Sequence, residues 1–129
     1  MNVLLATDGR QHSEKAVSYA FNYAGLQKAH LYVVFVVSPK AEEDKDKLIQ
    51  FGRNELEKLK AEAGKKGVQI TTLLEAGNPY ETIIRTSERM NADAIIVGTS
   101  GKTAIDRVLI GSVSEYVVRN AKCTVIVVK

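Results

Sequence analysis

The chain has 129 residues, 45% hydrophobic and 26% charged, and its 18 basic and 15 acidic side chains leave a net charge of +3. That length suits one domain, 1–129, with a core that needs no staples, and so mild a charge, with no basic run beyond Lys65-Lys66, does not point to a nucleic-acid partner. A single cysteine, Cys123, excludes an internal disulfide and fits a reducing compartment. No apolar run approaches the ~18 residues of a membrane span, and Met1-Asn2 leads straight into a strand-like run with no signal-peptide pattern. The expected location is therefore the cytoplasm, away from any membrane.

Asn2 to Thr7 reads as a first strand that stops at the Asp8-Gly9 turn signal. Ser13 is placed to cap a helix whose inner face is Ala16, Val17, Ala20, Phe21 and Ala24, and which Gly25 closes. His30 to Val37 is almost unbroken apolar and β-branched, as in a strand covered on both faces. After Ser38-Pro39, Leu48, Ile49, Leu56, Leu59 and Ala63 recur at helical spacing up to about Gly64. Gly52 reads as a weak point in that helix, and the charged stretch before Leu48 as a loop. Val68 to Glu75 is a third, more polar strand. Asn78 as cap, Pro79 at the first helical position and Glu81 at the capping-box site open the next helix. Its inner face is Tyr80, Ile83, Ile84 and Ser87, and Asn91 ends it. Ala94 to Val97 is a fourth strand. Ser112 with Glu115 is a second capping-box match, before a helix turning Val113, Val117, Val118 and Ala121 inward, and Thr124 to Val128 is a fifth strand.

This alternation means a parallel α/β sheet with helices on both faces. Ligands in such folds sit beyond the carboxyl ends of strands, where the winding direction reverses. The richest strand ends are Thr7-Asp8-Gly9 and Gly98 onward, and they meet only if the first and fourth strands are neighbours. That selects the order 3-2-1-4-5 over 2-1-3-4-5. It leaves the polar third strand at one edge and the apolar fifth at the other. A bare apolar edge invites pairing, so a homodimer through Thr124 to Val128 is expected.

Gly98 to Ser112 (GTSGKTAIDRVLIGS) has no clear period and is far longer than the usual ~2–6-residue connection. Gly98, Gly101 and Gly111 let a ligand approach the main chain, and freed N–H groups beside a helix start at Ser112 make an anion site. Gly101-Lys102-Thr103 is not a P-loop, because the position that should hold the first glycine is Ile96, inside a strand. The spacing present is G-x2-G-x9-G-S.

With that motif the chain resembles the universal stress protein family, whose nucleotide-binding members carry G-x2-G-x9-G-[ST] after the fourth strand. The likeness extends to the opening LLATDG, the HLYVVFVV strand, the GNP turn and the closing TVIVV. The resemblance implies a Rossmann-like domain of the adenine nucleotide alpha hydrolase type, order 3-2-1-4-5, dimeric through the last strand. It implies ATP, or AMP or ADP, at the switch point; any Mg²⁺ would come with the nucleotide, held mainly by its phosphate oxygens. Ala6, Thr7 and Asp8, at the end of the first strand, would line the nucleotide site, with Asp8 holding the ribose or nearby polar groups. Val36 would meet the adenine edge through its backbone, and Val97 would lie beside the base or ribose. Gly98, Thr99 and Gly101 would shape the phosphate loop, and Gly111, Ser112, Val113 and Ser114 would offer N–H and hydroxyl groups to the phosphates. Two departures loosen the match: Ala6 stands where many members have Pro, and Thr99-Ser100 replace a larger polar or basic residue.

The residues alone also allow plainer roles. Asp8 can cap its own turn, Lys102 reads as a solvated loop charge, and Arg107 as a phosphate or surface contact. His12 and His30 have no partners at ligand spacing, so no metal site is expected. Cys123 reads as a buried small hydrophobe. Asp8 is the only acid read as a catalytic candidate for the site, too little for efficient phosphoryl transfer. The expected function is a nucleotide-binding regulatory module, with at most slow hydrolysis, that is read by a regulatory protein partner. The competing reading is a nucleotide-independent dimeric module of the same fold. A phospho-receiver and an adenylating enzyme fit less well.

Overall fold

The computed structural model describes residues 1–38, 44–99 and 112–129, the side chain of His12 excepted. In chain order the elements are β1 (Asn2–Ala6), α1 (Glu14–Gln27), β2 (His30–Val37), α2 (Lys45–Lys66), β3 (Ile70–Ala76), α3 (Pro79–Arg89), β4 (Ala94–Gly98), α4 (Ser112–Asn120) and β5 (Thr124–Val128). A short 3-10 turn at Gln11–Ser13 precedes α1. The strands form one sheet in the order β3-β2-β1-β4-β5, every pair parallel. The order inferred from the two rich strand ends is the one observed.

Strand alternation sorts the side chains into two layers. Val3, Leu5, Leu31, Val33, Phe35 and Ile96 face α1 and α2, which contribute Ala16, Ala20, Phe21, Ala24, Leu56 and Ala63. Leu4, Val34, Ile95 and Val97 face the other way, toward Ile83 of α3 and Val117 of α4. The central strands are buried on both faces, which is why they read as continuous apolar runs. The polar β3 lies at one edge, its side chains half-buried except for Ala76, and the apolar β5 at the other.

Several boundaries differ from the sequence reading. α1 runs past Gly25 and ends where Lys28 turns left-handed (φ 52°), its N–H bonding back to Ala24 and Gly25. Ser13 sits at the N-cap position without making a side-chain cap. α2 already begins at Lys45, because the Asp44 carboxylate accepts from the N–H groups of Asp46 and Lys47 at 3.0 and 3.3 Å. Residues 39–43, the rest of the expected loop, lie outside the described residues.

Gly52 is a packing position rather than a weak point. A Cβ there would lie 2.8 Å from Phe35 Cδ1 and 2.9 Å from Leu74 Cδ1, so its absence lets α2 settle onto the sheet. β3 starts at Ile70, two residues later than the polarity pattern suggests, because Val68 N–H is tied back to the Ala63 carbonyl at 3.0 Å. α3 stops at Arg89, and Asn91 takes the left-handed turn (φ 53°), a conformation Asn tolerates. On α4 the inward stripe takes Ser114, 1% exposed, in place of Val118, 46% exposed.

Candidate functional site

β1 ends inside the sheet. Thr7 N–H still reaches the Val34 carbonyl at 3.1 Å, and then Asp8-Gly9 turns the chain away. Gly9 is held left-handed (φ 73°), and a Cβ on it would lie 2.8 Å from Glu55 Cγ, so α2 braces the turn. The Asp8 carboxylate accepts from Arg10 N–H at 2.9 Å, the turn-capping role open to it from sequence. Ser13 Oγ lies 3.1 Å from that same oxygen and 3.3 Å from Thr7 Oγ1, which accepts from Gly9 N–H at 3.2 Å. The buried Thr7 and Ser13 are thereby satisfied within one small network.

β2 and β4 both continue past this point, and ladder geometry decides where their polar groups aim. In a parallel strand, successive residues direct N–H and C=O to opposite neighbours. The Val34 carbonyl serves β1 while the Val37 carbonyl accepts from Gly77 N–H at 3.0 Å, beyond β3. Val36, two residues after Val34 and so of the same parity, therefore points its backbone groups to the β1 side, past the end of that strand. On the far side, Thr99 N–H reaches the Val128 carbonyl of β5 at 3.2 Å, so Gly98 points toward β1. Backbone groups of Val36 and Gly98 face one another across two strand spacings, about 10 Å. The gap is a switch-point crevice.

Its apolar wall is the second layer. Ala6, Val36 and Val113 pack against the cluster that buries Val97, whereas Thr7 lies on the opposite side of the sheet. Ser114 is buried, and Ser112 is exposed as the first residue of α4. The capping-box reading of Ser112 is not realised. The residue is inside the helix, and Glu115 pairs with Arg119 at 3.0 Å instead of reaching back.

Gly101, Gly111, Lys102 and Arg107 lie outside the described residues. Tyr80, assigned from sequence only to the inner face of α3, also reaches this region, its hydroxyl 3.2 Å from Ser112 Oγ. A bulky aromatic just after the GNP turn was the available signal.

A cleft of about 320 Å³ opens elsewhere, between α1 and α2, with Arg10, Glu14, Glu55 and Lys58 among its lining. It touches only Thr7 of the sequence-predicted site residues. Cys123, half-buried against the second layer, has its thiol pKa raised by burial first and by Asp93 second, with a backbone hydrogen bond opposing. No group of three or more His, Cys, Asp and Glu side chains among the described residues is placed to hold a metal ion. No helix among them is long and apolar enough to cross a membrane.

The model of the universal stress protein family matches residues 1–129. The chain belongs to the universal stress protein family. A curated member from Methanocaldococcus jannaschii is 37% identical, over 98% of this chain and 81% of its own. The crystal structure of a universal stress protein in complex with cAMP superposes with a TM-score of 0.80 at 26% identity, covering 100% of this chain and 97% of that one. A universal stress protein from Archaeoglobus fulgidus shares the fold at a TM-score of 0.85 and 23% identity, over 100% of this chain and 98% of its own.

Proposed function

We propose that this family member is a regulatory adenine-nucleotide binder, with ATP as ligand and AMP and ADP as its alternatives. The observation that carries the reading is the pair of backbone edges, Val36 and Gly98, aimed into the crevice past the end of β1. Adenine is a flat apolar ring with donors and acceptors on its rim. The wall of Ala6, Val36, Val97 and Val113 suits its faces, and the backbone groups suit its edge. The G-x2-G-x9-G-S spacing supplies main-chain N–H groups for phosphates ahead of the α4 N-terminus. The cyclic-nucleotide complex of a relative at 26% identity supports the same ligand class.

Asp8, with an oxygen committed to its turn, serves the ribose as an acceptor. Mg²⁺, where present, rests on phosphate oxygens, and hydrolysis is at most slow. The nucleotide acts by favouring one state of a surface that a protein partner reads. The protein works in the cytoplasm as a homodimer joined along β5, whose apolar outer edge, TVIVV, suits a second copy.

Calorimetric titration with ATP tests the ligand. Binding at millimolar concentrations or below, lost in Gly101→Val and Gly111→Val, is the expected result; no binding by the unmodified protein overturns the reading and leaves the nucleotide-independent module. Sedimentation of Ile126→Lys tests the dimer, which this charge on β5 should dissociate.

A further inference from the structure

We infer that Tyr80 is a positioning residue for the phosphate end of the nucleotide, acting through Ser112; the inference rests on the nucleotide-binding reading above. Tyr80 is fixed from below. Pro79 opens α3, and the Asn78 carboxamide oxygen accepts from Tyr80 N–H at 2.8 Å. Its ring meets Tyr116 edge-on, centroids 5.4 Å apart and planes at 67°. Its hydroxyl donates to Ser112 Oγ at 3.2 Å. Ser112 and Tyr116 are four residues apart on α4, hence on one face of that helix. A single side chain therefore grips α4 at two points one turn apart and ties it to the first turn of α3.

The direction of the hydroxyl bond gives this contact a consequence. A serine hydroxyl donates one hydrogen and accepts through its lone pairs. With Tyr80 as donor, Ser112 Oγ is the acceptor in this bond, which leaves the serine's own hydrogen to a different partner. Ser112 closes the G-x2-G-x9-G-S motif at the start of α4, where a phosphate oxygen is the acceptor of matching chemistry. A hydrogen bond received by the serine also polarises the one it gives. Tyr80 thus orients the Ser112 hydroxyl and strengthens it as a donor, without touching the ligand.

The test is calorimetric titration of the full chain with ATP and, separately, with adenosine, using the unmodified protein, Tyr80→Phe, Ser112→Ala and the double variant. Tyr80→Phe keeps the ring against Tyr116 and removes only the hydroxyl. The expected result is ATP binding weakened by about 3- to 10-fold, the size of one hydrogen bond's net contribution, with adenosine binding unchanged. In the Ser112→Ala background the same change should have no further effect, since partners in one network are not additive.

ATP affinity in Tyr80→Phe equal to that of the unmodified protein overturns the inference and leaves nucleotide binding standing. Equal loss for ATP and adenosine also overturns it, because that is the signature of a merely structural tyrosine. So do independent effects in the double variant. Failure of the unmodified protein to bind either compound removes both readings together.

Discussion

On the α1/α2 side of the sheet the buried helical side chains are Ala16, Ala20, Phe21, Ala24, Leu56 and Ala63; on the α3/α4 side they are Thr82, Ile83, Thr86, Ser87, Ser114 and Val117. Between helix and strand the first layer meets by apolar contact, its buried hydroxyls Thr7 and Ser13 lying at the turn before α1, and α2 comes close enough at Gly52 to exclude even a methyl group. The second carries hydroxyls, and every buried one must find a partner. Ser87 Oγ donates to the Ile84 carbonyl at 2.7 Å, and no buried side-chain oxygen or nitrogen among the described residues is left unpaired. Burying hydroxyls contributes less than burying methyls. The layer that lines the crevice is the one whose buried helical positions carry hydroxyls, while those on the far side of the sheet are apolar.

The contrast is broken most severely at Phe21, which is 2% exposed in the first layer. Phe21→Ala should cost about 3–5 kcal/mol in denaturant unfolding, with little change in nucleotide affinity for the fraction that remains folded. A loss below that range would mean that the two layers share the load more evenly.

A smaller effect is expected at Gly52. Ala is the better helix former by ~1 kcal/mol, yet the added methyl would press on Phe35 and Leu74. Overpacking of this kind costs about 1–3 kcal/mol, so Gly52→Ala should lower the denaturation midpoint. A raised midpoint would show that α2 can back away from the sheet.

In the second layer the matching change is Asn78→Ala, which removes the cap that accepts from Tyr80 and Glu81 N–H at 2.8 and 3.3 Å. The expected loss is ~1 kcal/mol, with amide exchange quickening in α3 before α1. The smallest effect belongs to Gly25, exposed in the last turn of α1 with nothing within 4 Å of an added Cβ. Gly25→Ala should stabilise by about 0.5–1 kcal/mol, read as a higher melting temperature.

Where the sequence misled, a long-range neighbour made the difference. Gly25 and Gly52 are both glycines in helices, yet one faces solvent and the other touches Phe35 and Leu74. Val118 and Ser114 flank the same apolar stripe of α4, and the angle at which the helix docks decides which is covered. Val68 is the local exception: it was read as the start of the third strand, but its N–H bonds back to the Ala63 carbonyl near the end of α2 at 3.0 Å. Tyr80 had the spacing of a core residue, and nothing local told that its hydroxyl meets Ser112, 32 positions away.

Alternation of apolar runs with amphipathic ones, the two turn-rich strand ends and the glycine spacing determined the α/β class, the strand order and the family likeness without any coordinates. These are local patterns, set by backbone geometry that repeats every few residues. Only the folded chain decided which helices share a layer, that Val36 and Gly98 aim their backbone groups at one gap, and that α3 reaches α4 through a tyrosine. Each of those depends on which strand or helix lies alongside, and residues far apart in the chain carry no periodic sign of their future neighbours.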